Sequence, residues 1–173
     1  QAQVEQLERY LALLRHWNQR INLTAFPLDR PGNDAVDRLI VEPVVAAGFV
    51  WPNTQTCIDI GSGGGSPAIP MKIACSFLRL TMVEARVRKC AFLREAVRTL
   101  GLDRTHVETG RFDASWVRQH GMQTDLLTVR AVRIDAALWR AMDAVVGSAG
   151  RIFHFGSLAD ADRADSAIPD QWV

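Results

Sequence analysis

The sequence has few cysteines, no long apolar run and almost no net charge. Its three cysteines, Cys57, Cys75 and Cys90, form no Cys-x-x-Cys pair and stand without a histidine cluster. We therefore expect neither a disulfide framework nor a metal site, and a reducing, cytoplasmic location. The lack of a long apolar stretch excludes a membrane-spanning helix. A formal net charge of +1 does not by itself indicate a nucleic-acid partner.

Length and composition indicate a single globular domain. A chain of 173 residues can bury a substantial core but is short for two domains. Its 48% hydrophobic and 23% charged residues are proportions typical of soluble proteins. We expect a monomer with an N-terminal helical extension over residues 1–53 and a cofactor-binding α/β core over residues 54–173.

The most informative stretch runs from Cys57 to Pro67 and contains a cluster of glycines. The residues just before the cluster are β-prone and mostly apolar, which is typical of a buried parallel strand. Glycines allow positive φ angles and the close approach of a ligand. Ser66 and Pro67 then predict a helix N-cap followed by proline at the first helical position. This order of strand, turn and helix indicates a site for a polar or anionic ligand.

The turn alone leaves the type of ligand open. No Gly-Lys-Ser/Thr follows it, which disfavours a phosphate-binding P-loop. A dinucleotide fingerprint fits the register Gly63, Gly65 and Ala68, although this register begins two residues late. Asp59 would place a carboxylate near the ligand, and a pyrophosphate would be repelled by it. A nicotinamide cofactor and another nucleotide-type cofactor are therefore both alternatives here.

Downstream of the turn, strand-like and helix-like segments alternate. We predict strands at 77–84, 105–109, 125–129 and 151–155, and helices at 87–100, 113–120 and 135–146, the last stopped by the segment Gly147–Gly150. This rhythm predicts a Rossmann-like, doubly wound, mostly parallel sheet with helices on both faces. The ligand should bind beyond the carboxyl ends of the strands, near the first strand.

Two helices are predicted ahead of this core. Apolar residues from Val4 to Ile21 recur at helical spacing, and Asn22 is the expected end of the first helix. Asp34 is expected to cap a second helix, which Pro43 should limit or kink. These helices would form the N-terminal extension.

Polar residues at the ends of later strands are candidates for binding a cofactor. Glu84 follows the turn by about twenty residues, where a carboxylate can accept hydrogen bonds from ribose hydroxyls. Phe112 could line an adenine slot, and Asp113 could bind the exocyclic amine or only cap a helix. Arg130 ends the fourth strand at the same crevice, where it suits a polar or anionic substrate group or a surface ion pair.

No set of residues suited to nucleophilic catalysis is present. The Gly61-Ser62-Gly63 run differs from the Gly-x-Ser-x-Gly nucleophile motif, and the four histidines stand far apart in the sequence. The chemistry is therefore expected to belong to a cofactor, which the protein orients.

The stretch from Asp59 to Gly65 resembles motif I of the class I S-adenosylmethionine-dependent methyltransferases. More narrowly, the chain resembles the bacterial 16S rRNA guanine-N7 methyltransferases, the RsmG or GidB family. The other matching segments follow the family's order from Trp17 to Val132: Trp17-Asn18 with Ile21-Asn22-Leu23-Thr24, Glu84 with Arg88-Lys89 and Phe92-Leu93, Gly110-Arg111 with Asp113, and Thr128-Val129-Arg130-Ala131-Val132. The Asn-Leu-Thr and Arg-Ala-Val segments together are far more specific than the glycine turn.

The resemblance implies a methyltransferase that uses S-adenosyl-L-methionine and modifies 16S rRNA, either free or within the 30S subunit. Arg130 is implied as the catalytic residue at the donor and acceptor end. The residues implied to hold the methyl donor are Gly61, Ser62, Gly63, Gly65, Ser66, Glu84, Ala85, Phe112, Asp113 and Arg130. The residues implied to face the RNA backbone are Arg88, Lys89 and Arg111.

The chain also departs from the family pattern. Ser66 stands where the family usually has the phenylalanine of Gly-Phe-Pro-Gly. Where the family usually has Arg-His followed by Asp-Ser, this chain has Arg38-Leu39 followed by Glu42-Pro43. The segment His154-Phe155-Gly156-Ser157 stands in place of Lys-Gly, and the sequence ends at Val173, before the usual closing strands. Two alternatives therefore stand beside 16S rRNA methylation. One is a methyltransferase for another, small-molecule substrate, and the other is a cofactor- or RNA-binding relative without catalysis.

Overall fold

In the computed structural model, which describes residues 1–29 and 32–156, a five-stranded parallel sheet forms the centre of the molecule. Its strands are β1 (Thr56–Ile60), β2 (Arg79–Glu84), β3 (Thr105–Thr109), β4 (Thr124–Arg130) and β5 (Val146–Phe155). They lie in the order β3-β2-β1-β4-β5 and all pair in parallel. The order reverses beside β1, so its carboxyl end is the point where such sheets bind ligands.

Helices cover both faces of the sheet, which confirms the predicted Rossmann-like architecture. They are α1 (Ala2–Asn18), α2 (Asn33–Val36), α3 (Glu42–Ala47), α4 (Ala68–Ala74), α5 (Val87–Leu100), α6 (Ala114–His120) and α7 (Ala136–Asp143). The core on one face includes Phe92 and Leu93 of α5, and the core on the other includes Trp116 and Trp139. Within the described ranges, no helix combines the length and apolar character needed to cross a membrane.

Helix α1 covers the ends of two later helices. Gln3 Nε2 donates a hydrogen bond of 3.0 Å to the carbonyl of Ile73, in the last turn of α4. Gln6 Nε2 donates a bond of 3.0 Å to the carbonyl of Leu100, at the end of α5. Carbonyls in a last helical turn have no partner within their own helix. Side chains near the start of the chain therefore donate hydrogen bonds to carbonyl groups that lie 70 and 94 residues further along.

The first helix ends earlier than predicted. It stops at Asn18 rather than at Asn22. The Asn18 Oδ1 accepts hydrogen bonds from the backbone nitrogens of Leu23 at 2.9 Å and Thr24 at 3.1 Å. These bonds turn the following segment back towards the helix end, so the apolar repeat continues past the point where the helix stops.

The second helix also differs from its prediction. Asp34 is not its cap, because the helix begins at Asn33 after an extended Gly32. The helix does not end at Pro43, since α2 passes into a π-helical turn at Asp37–Val41 and then into α3. Pro43 lies in the first turn of α3, and the Arg38 carbonyl, which its missing N–H leaves without a helical donor, accepts a bond from Arg130.

The predicted cap at Ser66 is wrong as well. Helix α4 begins at Ala68, with Pro67 as its N-cap, and no side chain caps it. The Ser66 Oγ instead donates a hydrogen bond of 2.9 Å to the carbonyl of Leu39. The Ser66 hydroxyl, which could have capped α4, is therefore bound to the π-helical turn instead.

The later elements agree closely with prediction, apart from β2 and the segment before β5. Helix α5 and strand β3 have the predicted bounds, and Gly101 ends α5 at a φ of +61°. Strand β2 begins two residues later than predicted, at Arg79. Helix α7 ends at Asp143, and the segment Gly147–Gly150 lies within β5, where it forms a bulge opposite β4. Residues 157–173, including Ser157 of the altered Lys-Gly segment, lie outside the described residues.

Candidate functional site

The turn after β1 requires glycine for two reasons. Gly61, Gly63 and Gly65 all have positive φ angles, of +68°, +52° and +87°. A Cβ on Gly61 would lie 2.6 Å from Val132 Cγ2, and one on Gly65 would lie 2.5 Å from Ile69 Cδ1. At Gly63 the nearest atom to such a Cβ is 3.6 Å away, so only the backbone angle demands glycine there.

The N-terminal extension packs directly on this turn. The Tyr10 hydroxyl donates a hydrogen bond of 2.7 Å to the carbonyl of Gly64, and its ring is fully buried. Burial raises the pKa of Tyr10, so its hydroxyl stays a neutral donor. A Cβ on Gly64 would lie 3.1 Å from both Leu14 Cδ1 and the Leu23 carbonyl. Tyr10 therefore belongs to the buried face of α1. Val4, with which the predicted apolar repeat began, is 57% exposed.

Glu84 connects the end of β2 to the glycine turn. Its carboxylate accepts hydrogen bonds from the backbone nitrogens of Gly63 at 2.9 Å and Arg86 at 2.7 Å. The residue is 6% exposed and lines a cavity beside the turn. Each carboxylate oxygen has a second lone pair, so Glu84 can shape the turn and still accept a bond from a ligand hydroxyl.

The cavity has a volume of about 540 Å³ and opens at the carboxyl ends of the strands. Its walls come from β1, β2 and the loops that follow β3 and β4. The residues on the wall that the sequence had singled out are Gly61, Glu84, Ala85, Arg111, Phe112 and Asp113. The fold therefore brings together six candidates from three separate segments of the chain.

Phe112 and Asp113 form the wall after β3. The Phe112 ring is 5% exposed and lies 5.0 Å from the Trp116 ring. The Asp113 carboxylate caps α6, accepting bonds from the backbone nitrogens of Ser115 and Trp116 at 2.8 and 3.0 Å. These bonds, led by the one from Trp116, lower the pKa of Asp113. Asp113 is thus a helix cap that also faces the cavity.

The wall after β4 was missed by sequence reasoning. It includes Val132, Arg133, Asp135 and Leu138. Asp135 caps α7 by accepting bonds from the backbone nitrogens of Ala137 and Leu138, at 3.0 and 2.8 Å. Val132 closes the Arg130-Ala131-Val132 segment of the family resemblance, but neither that segment nor the helical pattern after Asp135 indicated the wall of a cavity.

The remaining candidates lie off the cavity wall. Ser62, Gly63, Gly65 and Ser66 belong to the glycine turn and its exit towards α4. Lys89 Nζ lies 4.0 Å from where a Cβ on Gly63 would sit, so this lysine lies over the turn. Arg88 and Lys89 occupy the first turn of α5, where Arg88 is exposed and Lys89 is half-buried.

Asp59 is a buried carboxylate near the end of β1. It is 1% exposed, and its Oδ1 accepts a bond of 2.6 Å from Thr128 Oγ1. Its Oδ2 has no hydrogen-bond partner among the described residues. Burial raises the pKa of Asp59 to about 6. This buried acceptor without a partner lies two residues before the glycine turn, where an ordered water or a bound group would satisfy it.

Arg130 is held on the same sheet face as Asp59. The Arg130 guanidinium donates to the carbonyl of Arg38, to Ser66 Oγ at 3.2 Å and to Glu42 Oε2 at 2.6 Å. It also lies 4.8 Å from the centre of the Phe155 ring. The structure therefore places Arg130 beside the exit of the glycine turn and not on the cavity wall.

Solved structures with the same architecture define the class of fold. A precorrin-6y C5,15-methyltransferase from Geobacter metallireducens GS-15 has a TM-score of 0.60, over 83% of this chain and 80% of that protein, at 15% identity. The glycopeptide N-methyltransferase MtfA, solved with S-adenosyl-L-methionine, has a TM-score of 0.56, over 65% of this chain and 52% of that protein, at 14% identity. The chain has a methyltransferase-type Rossmann fold.

The sequence comparison then identifies the family. The family model described as rRNA small subunit methyltransferase G matches residues 3–166, and the chain belongs to this family. The ribosomal RNA small subunit methyltransferase G of Stenotrophomonas maltophilia strain R551-3 is 40% identical over 136 residues, 78% of this chain and 59% of the relative. That of Roseiflexus castenholzii is 40% identical over 134 residues, 76% of this chain and 56% of the relative. The matched region thus spans less than two thirds of these curated relatives.

Proposed function

We propose that this protein binds S-adenosyl-L-methionine and methylates N7 of a guanine in 16S ribosomal RNA. The family assignment over residues 3–166 is the observation that carries the proposal, and the glycine turn beside the cavity supports it. We expect a cytoplasmic monomer that acts on the RNA or on the 30S subunit. Its relatives carry the name ribosomal RNA small subunit methyltransferase G.

The donor-binding part of the proposal rests on three features of the site. Glu84 offers acceptors for ribose hydroxyls, and Ala85 beside it leaves room at the cavity wall. Phe112 offers an apolar surface for an adenine ring, with Asp113 at its edge. Asp59 lies off the cavity wall, and its carboxylate, with one oxygen unpaired among the described residues, would favour the ammonium group of the donor by charge. These chemistries fit the adenosine and amino-acid ends of one molecule.

The reaction demands little acid–base chemistry from the protein. When bound, the donor supplies an electrophilic methyl group on sulfur. Guanine N7 is an acceptor with a free lone pair in the neutral base, so no strong general base has to remove a proton from it. The residues of this chain would act by orientation and by excluding water, and alignment alone can lower a barrier by several kcal/mol or more.

Arginine and lysine residues near the cavity suit an RNA backbone. Arg111 and Arg133 are exposed and line the cavity mouth. Arg88 and Lys89 lie in the first turn of α5, and Lys89 Nζ lies over the glycine turn. We assign Arg88, Lys89 and Arg111 to phosphate contacts, which position RNA without reading its sequence. We assign Arg130 to the end of the site where donor and guanine would meet.

The test starts with calorimetry on the purified chain using S-adenosylmethionine, S-adenosylhomocysteine and NAD. We expect the first two to bind and NAD not to bind. Gly63→Val should abolish donor binding while the chain stays folded, because its φ of +52° is strained for a β-branched residue. Preference for NAD would favour a dehydrogenase instead.

The second stage measures tritiated methyl transfer to 16S rRNA and to 30S subunits from a strain lacking this modification. We expect transfer and N7-methylguanine at one site. Ser66 stands where the family usually has an aromatic residue, and this departure is what favours the second candidate, a donor-binding relative without RNA transfer. Donor binding with no transfer to either substrate would support that candidate or a small-molecule enzyme.

A further inference from the structure

The strongest feature outside the cavity is the set of partners around Arg130. Its side chain is 17% exposed. Three separate segments hold it: the π-helical turn with the start of α3, the exit of the glycine turn and the end of β5. Among the described residues, the Glu42 carboxylate is the one charged group that bonds directly to the Arg130 guanidinium. The Arg130–Glu42 ion pair is therefore the part of this set that a substitution can test most cleanly.

The π-helical turn explains why two of these partners face Arg130. In this turn the N–H of Glu42 donates to the carbonyl of Asp37. The corresponding donor for the carbonyl of Arg38 would be residue 43, which is proline and has no N–H. The Arg38 carbonyl accepts from Arg130 instead. π-Helical turns are often found at functional sites, and here the turn presents one carbonyl and one carboxylate to the same guanidinium.

We propose that Glu42 is a positioning residue, which aims Arg130 at the end of the site where donor and acceptor meet. The proposal rests on the role assigned above to Arg130. The distance of 2.6 Å from Glu42 Oε2 to Arg130 Nη2 is that of a strong, charge-assisted hydrogen bond. Because the Glu42 side chain is only 34% exposed, this bond is partly shielded from water and keeps the guanidinium in one orientation beside Ser66.

The chain provides a matched control for this ion pair. Glu42 Oε1 also pairs with Arg38 Nη1 at 3.0 Å, four residues earlier, and the Arg38 side chain is 44% exposed. Exposed pairs at this spacing contribute little to stability. Arg38→Gln therefore removes the other partner of the same carboxylate and keeps the backbone carbonyl that accepts from Arg130, so it should leave the methylation rate within about twofold of the parent.

The experiment compares Glu42→Gln, Glu42→Asp and Arg38→Gln in methyl transfer. Misplacement of a positioned group by about 1 Å can reduce a rate by about a hundredfold. We expect Glu42→Gln to lower kcat by about tenfold or more, with the Kd for S-adenosylmethionine unchanged. Glu42→Asp should recover part of the rate because the charge is kept. In an Arg130→Ala background, Glu42→Gln should have no further effect.

A second readout does not depend on activity. Phenylglyoxal modifies accessible arginines, and mass spectrometry can follow its reaction at Arg130. Glu42→Gln should increase the modification rate at Arg130 several-fold, and Arg38→Gln should not. An unchanged modification rate at Arg130 would overturn the proposal. A loss of kcat on Glu42→Gln that is equally large in the parent and in the Arg130→Ala background would also overturn it. A parent protein without methyl transfer would count against the proposed function alone, since modification at Arg130 still decides the role of Glu42.

Discussion

Replacing Asp59 by Asn is expected to raise the free energy of unfolding more at neutral pH than at acidic pH. The substitution removes a buried charge but keeps the side-chain shape, so an oxygen can still accept the bond that Thr128 donates at 2.6 Å. The pKa of Asp59 is about 6 in the folded protein, against 3.8 for an ordinary aspartate. The folded state therefore binds the Asp59 proton more tightly than the unfolded state does.

This difference fixes the sign and size of the effect. A folded pKa above the unfolded value means that stability falls as pH rises between about 4 and about 6, because ionisation is harder in the folded protein. A shift of about two units corresponds to about 3 kcal/mol, at about 1.4 kcal/mol per unit. The stability gained by Asp59→Asn should therefore grow by up to about 3 kcal/mol from pH 4 to pH 7.5.

Urea unfolding of parent and variant at several pH values measures this difference, and other titrating groups cancel in the comparison. Asp125 provides a control of opposite sign. Partial burial opposes its ionisation, but bonds from the backbone of Gln55 and Thr56 and the Thr56 hydroxyl outweigh it, so the pKa of Asp125 is lowered. Asp125→Asn should therefore destabilise the protein more at neutral pH than at acidic pH. A pH-independent stability difference for Asp59→Asn would refute the reasoning.

Three further substitutions test separate parts of the site. Glu84→Gln should weaken S-adenosylmethionine binding by roughly 1–3 kcal/mol in calorimetry, the scale of a lost charge-assisted bond; parental affinity would contradict a ligand role. Arg88→Ala combined with Lys89→Ala should weaken RNA binding and reduce its salt dependence in filter binding, with donor affinity retained; an unchanged salt slope would indicate an ordinary solvated face. Tyr10→Phe should lower the free energy of unfolding by about 1–3 kcal/mol in urea, because the Gly64 carbonyl loses its donor; parental stability would mean that water replaces it.

Local signals were enough to predict part of the fold. Helix α5 combines an apolar face with Gly101 just after its end, and both of its bounds were predicted. Glu84 could be predicted because the distance between a glycine turn and the next strand end is similar across sheets of this type. The carboxylate of Glu84 binds the turn itself, through Gly63, and this contact between two strand ends had no sequence signal.

The errors occur where distant residues decide the local structure. A segment such as Gly147–Gly150 ends a helix or forms a bulge according to what lies beside it, and here β4 pairs with the residues on either side of it. Ser66 is a good capping residue, but Leu39 and Arg130 bind its hydroxyl instead. The partners of Arg130 come from positions 38, 42, 66 and 155, so no short motif could have predicted them.

The contacts of α1 with the ends of α4 and α5 also have a consequence for the timing of folding during synthesis. The 94 residues that separate Gln6 from Leu100 take about 5 to 20 s to translate at roughly 5–20 residues per second. A lone helix of 17 residues is only marginally stable in water. The helix that is made first therefore completes its contacts, including the bond from Gln6 to Leu100, only after α5 has left the ribosome.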